Sequence, residues 1–74
     1  MSHSEKCALL DSLMAIVDGS GAVGKWANDA RKIIQEARSA IGDNDAFQTA
    51  MKNWKRNLMQ APPYVYDTHV RNSM

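Results

Sequence analysis

The chain has 74 residues, with nine Lys and Arg against eight Asp and Glu, a formal net charge of +1 and 45% apolar residues. A chain this short makes one domain and hides only about 60–65% of the surface that its unfolded form exposes, so alone it is marginally stable and gains from a partner or a second copy. The near-zero charge gives no global field for nucleic acid or membrane, the single Cys7 excludes an internal disulfide and fits a reducing compartment, no charge-free stretch is long enough to span a bilayer, and the opening MSHSEK has no apolar signal-peptide core.

The first predicted helix covers about residues 5–18. Leu10, Leu13, Met14 and Val17 repeat at i, i+3, i+4 and i+7, and Leu9 and Ile16 widen the stripe toward half the circumference, a face that two neighbours must cover. Ser2 or Ser4 supplies a cap, Glu5 an acid in the first turn, and Gly19 a terminating glycine.

The next stretch, GSGAVGKW over residues 19–26, matches the GxxxxGK pattern of a phosphate-binding loop, and the preceding LMAIV could pass for its strand. The chemistry argues against it. Trp26 stands where a hydroxyl must bind magnesium, and no second strand follows to bring an acidic residue to the metal. No nucleotide is expected. The glycines read better as the end of one helix and the entry to the next, and Lys25 as part of a solvated ladder with Asp29, Lys32 and Glu36. Gly24 fits less well, since glycine inside a helix costs about 1 kcal/mol relative to Ala.

The second predicted helix, about residues 22–41, has the clearest stripe: Val23, Trp26, Ala27, Ala30, Ile33, Ile34, Ala37, Ala40 and Ile41. Its alanines let a neighbour approach closely. Gly42 ends it, and Asp43 or Asn44 caps a third helix over about 45–60, with the stripe Phe47, Ala50, Met51, Trp54 and Leu58. That helix stops near Gln60 because Ala61 precedes Pro62 and Pro63. Residues 61–74 read as an extended tail with a stiff Pro-Pro start, either folded back on the bundle or free to dock on a partner. The short connections favour antiparallel neighbours. The expected fold is therefore all-α: a small three-helix up-down-up bundle, or a helical hairpin dimer, with an extended C-terminal tail. The broad first stripe and the small size favour a homodimer.

Chemistry-bearing groups are sparse. His3, Cys7 and His69 are the soft metal ligands, fewer than the four that structural zinc takes. Asp67 and His69 would project to one side of an extended tail, but nothing in the sequence brings a nucleophile to them. No enzyme activity, metal or cofactor is expected. The basic side of the third helix is more informative. Lys52, Lys55 and Arg56 lie opposite its core stripe with Met59 among them, and no acid stands one turn away. Arg31 and Arg38, seven apart on the second helix, also lack an acid one turn away. If the two edges adjoin, five cations form one surface for phosphates or for an acidic protein patch. Acids at the start of the third helix, Asp43 and Asp45, argue against a groove-reading recognition helix. In the tail, Tyr64 and Tyr66 would share one side, and tyrosine is enriched in binding hot spots. Val65 stands where a WW-type ligand needs Tyr.

These features point to a small, cytoplasmic, non-enzymatic protein-binding adaptor or inhibitor, an accessory protein of the kind common in bacteria and phages. Its expected contact residues are Arg31, Arg38, Lys52, Lys55, Arg56, Met59, Tyr64 and Tyr66. A nucleic-acid-binding regulator is the alternative, and a structural assembly subunit the third reading. A protein partner and a second copy are expected; a membrane and a nucleotide are not.

Overall fold

A computed structural model of the chain describes residues 2–63 and 65. Helix α1 runs His3–Gly19, two residues ahead of its expected start, because Ser2 and not Ser4 is the cap. The Glu5 backbone N–H donates to Ser2 Oγ at 3.1 Å, and the Ser2 backbone N–H donates to Glu5 Oε1 at 3.2 Å, a reciprocal capping box. The Ser2 backbone N–H, and after it the Ser2 hydroxyl, hold the Glu5 carboxyl below its ordinary pKa.

The glycine-rich connection contains no strand and no phosphate cradle on a sheet: LMAIV is helical, as part of α1. Ser20 N–H donates to Ile16 O and Ser20 Oγ to Val17 O, which closes the end of α1. Gly21, at φ 70°, turns the chain, and Ala22 drops into the core. Gly24 is not a helix-interior residue. It is the N-cap of α2 (Lys25–Ser39), with φ 88° and ψ −160°, a conformation essentially reserved for glycine. α2 is accordingly shorter than its apolar stripe suggested. Val23, assigned above to that stripe, is 81% exposed, and Ile41 lies in the following turn.

α3 spans Asn44–Met59, capped by Asp43, whose Oδ1 accepts from the Ala46 N–H at 3.2 Å. Beyond Gln60, Pro63 and Val65 are helical, the Val65 N–H donates to Pro62 O, and the Val65 side chain is fully buried. The Pro-Pro start is therefore not a free extended arm: Ala61 and Pro62 are half-buried and non-helical, Pro63 is helical, and Tyr64 and residues 66–74 lie outside the described residues.

The fold is all-α, three helices with no strand among the described residues. α2 is the middle element and packs on both of the others, while no Cα of α1 comes within 8 Å of one in α3. Side-chain pairs give the directions. Asp11 meets Arg38 and Asp18 meets Arg31, so α1 and α2 are antiparallel; Trp26 meets Asn57, so α2 and α3 are antiparallel as well. Buried alanines at 27, 30 and 37 let α2 sit close to its neighbours. Leu10, Val17, Ile34 and Phe47 fill the centre. The assembly is a thick slab, 33 × 27 × 16 Å.

One core member is charged. Lys6 falls four residues before Leu10, on the apolar stripe of α1, and is buried. Its Nζ donates to Ile41 O at 3.1 Å and lies 5.1 Å from the centroid of the Phe47 ring, so a single ammonium ties the start of α1 to the turn after α2 and to the start of α3.

Candidate interaction surface

The expected contact residues divide among three places. Arg31 and Arg38 face α1. Arg31 Nη2 pairs with Asp18 Oδ1 and Arg38 Nη2 with Asp11 Oδ1, each at 3.1 Å. Neither acid is a turn away on α2, and both come from another helix, which is why spacing within α2 left these arginines without partners. The two arginines line the α1–α2 seam and do not join the α3 cations in a single field. These pairs are half-exposed and each contributes little to stability, but they occupy the arginines.

Lys52, Lys55 and Arg56 are exposed on α3, and among the described residues none of the three forms an ion pair. They fan around the helix. Arg56 lines a shallow cleft of about 320 Å³ between α2 and α3, across from Asp29, Lys32 and Glu36. Lys55 lines the opposite, α1-facing side of α3, and Lys52 lies one turn before both. Met59, at the end of the same helix, is 80% exposed. Tyr64 and Tyr66 lie outside the described residues, as do Asp67 and His69.

The α2–α3 cleft is polar. On its α2 wall Lys25 Nζ pairs with Asp29 Oδ2 at 2.9 Å, and that hydrogen bond, followed by the Asp29 charge, raises the Lys25 pKa above its ordinary value. The expected ladder stops there, since Lys32 and Glu36 form no ion pair among the described residues. Trp26, the residue that spoils the phosphate pattern, donates from Nε1 to Asn57 O at 2.7 Å and pins the start of α2 to the end of α3. The Asn57 Nδ2 is buried there with no hydrogen-bond partner among the described residues.

On the other face, where α1 and α3 stand apart, an apolar groove of about 410 Å³ opens between Leu9, Leu13 and Ile16 of α1 and Met51, Trp54 and Leu58 of α3. Sequence reasoning missed this groove. The signal was present in the breadth of the α1 stripe, which exceeds what one neighbour covers.

His3 and Cys7 share a face of α1, because the helix starts early, but among the described residues no group of three or more His, Cys, Asp or Glu could hold a metal ion. No helix among the described residues is long and apolar enough to cross a membrane. No protein-family model matches the chain, and no curated protein or solved structure shows significant similarity to it.

Proposed function

We propose that the chain is a small non-enzymatic adaptor or inhibitor that works by occupying the surface of a larger protein, with the basic side of α3 as its contact face. The supporting observation is the cluster Lys52, Lys55, Arg56 and Met59: three cations with no ion pair among the described residues, beside an 80%-exposed hydrophobe. The contrast with Arg31 and Arg38 sharpens the assignment, because the fold uses those charges internally and leaves the α3 charges available. Opposite charges on a partner would steer association and select against wrong surfaces, and Met59 would supply adaptable apolar contact. Tyr64 and Tyr66 are proposed as anchors from the adjoining tail. The lone, half-buried Cys7 suits a reducing, cytoplasmic setting.

The test is affinity capture with the full chain, comparing wild type with a Lys52→Glu, Lys55→Glu, Arg56→Glu variant. One stoichiometric protein held by wild type and lost by the variant is the expected result. If the chain instead shifts duplex DNA at about 50 mM salt and releases it by about 200 mM, the protein-binding reading gives way to a nucleic-acid one.

A further inference from the structure

The apolar groove between α1 and α3 has walls that run parallel to each other. Leu9 to Ile16 on one side and Met51 to Leu58 on the other each cover eight residues, about 10 Å of helix from the first to the last. Two parallel helices with an apolar trough between them present the geometry into which an amphipathic helix lays residues at i, i+3 or i+4, and i+7. Such a helix would complete a four-helix cross-section and cover the broad stripe of α1 that α2 leaves open.

The charges around the groove define its occupant. On the α3 rim Lys55 and the neutral Gln48 line the groove, and Lys52, one turn before Lys55 and farther round the helix, adds a second exposed cation; among the described residues neither lysine forms an ion pair. On the α1 side the exposed residues Ala8, Ser12 and Ala15 carry no charge, and Glu5 is held at the helix start by its capping box with Ser2. The other acids of α1, Asp11 and Asp18, face α2 and pair with its arginines. The rim is thus positive with an apolar floor. A second copy docked by a two-fold would bring the same positive rim against a face with little acid to receive it, which costs specificity and affinity.

We propose that this groove binds an acidic amphipathic helix of a partner protein, with its apolar face on Leu9, Ile16 and Met51 and its carboxylates on Lys52 and Lys55. The inference rests on the protein-binding reading above and names the class of segment that is bound.

The experiment pans a phage-displayed library of randomised helical peptides against the full chain, then measures a synthetic copy of the enriched sequence by fluorescence anisotropy. Enriched peptides are expected to carry apolar residues at i, i+3 or i+4, and i+7, flanked by Asp or Glu. Affinity should fall at least tenfold on Lys52→Glu with Lys55→Glu, and again on Ile16→Glu with Met51→Glu. Circular dichroism melting checks that the second pair folds; the first pair alters only exposed side chains and keeps the test decisive if the second does not. Enrichment without acids, or an affinity that ignores Lys52→Glu with Lys55→Glu, overturns the proposal. A dimer by sedimentation that Met51→Glu disperses also overturns it, in favour of a second copy, and peptide binding that appears only after removal of residues 66–74 does so in favour of the tail. In the affinity capture described above, a partner lost with the triple α3 variant but kept by Ile16→Glu with Met51→Glu leaves the basic face standing and removes the groove. A partner indifferent to both removes both.

Discussion

Lys6 shows how one residue can be read correctly by position and wrongly by type. Its place four before Leu10 puts it on the core stripe, yet a lysine there would ordinarily be assigned to solvent. The structure resolves this by burying the aliphatic stem and giving the ammonium the Ile41 carbonyl and the Phe47 ring. A charge-assisted hydrogen bond and a sheltered cation–π contact together outweigh the cost of partial desolvation, so Lys6→Met, which keeps the stem and removes the charge, should destabilise the fold by about 1–2 kcal/mol. Urea denaturation followed by circular dichroism reads this directly, and an unchanged midpoint would mean that water replaces the ammonium on Ile41. Gly24 supplies the opposite test. Helix propensity alone says that Gly24→Ala should stabilise α2. The observed φ of 88° and ψ of −160° say that any Cβ there is strained, although the space around it is open, so the substitution should cost about 1–3 kcal/mol. A raised melting temperature for Gly24→Ala would show that the α2 start adopts another conformation.

At the scale of elements, the three helices and their order were legible because each carries its own 3.6-residue period and its own cap. Their ends were not. Val23 and Ile41 continue the stripe of α2 in sequence, but Gly24 forces a left-handed turn after Val23, and helical backbone ends at Ser39 before Ile41. Periodicity records which residues can face a core; it does not record where the backbone leaves the helix. The α1 start was one of two expected caps, and the capping box selects between them. It also makes α1 sensitive to acid. Because the Glu5 pKa is lowered by folding, its contribution is present above the unfolded value of 4.5 and is lost as pH falls through the lower folded value. Wild type and Glu5→Gln should therefore differ by a constant melting-temperature gap above about pH 5, and the gap should narrow on acidification toward about pH 3. A gap that widens in acid would contradict the hydrogen bonds assigned to Ser2.

At the scale of the molecule, the arrangement of helices decides which candidate contacts are free. Spacing within one helix shows no acid beside Arg31 or Arg38, and the partners come from the antiparallel α1, thirteen and twenty-seven residues away. Lys55, on the α1-facing side of α3, forms no ion pair among the described residues, and α1 stands off from α3 there. The same separation opens the apolar groove, so the free Lys55 ammonium and the uncovered apolar surface have one geometric origin. It also sets an uneven distribution of stability. Every interhelical backbone approach involves α2, and Ile34 is fully buried in it, so Ile34→Ala should remove about 2–5 kcal/mol. That is a large part of what a domain of this size possesses, and the variant should be substantially unfolded at 25 °C. Ile16 has the same side chain but lines the open groove and is only half-buried, so Ile16→Ala should cost roughly 1 kcal/mol and leave a cooperative transition. Chemical denaturation of the two variants side by side measures the contrast. Equal losses would mean that the groove is closed in solution, and then neither a partner helix nor any other segment could enter it without displacing what already covers Ile16.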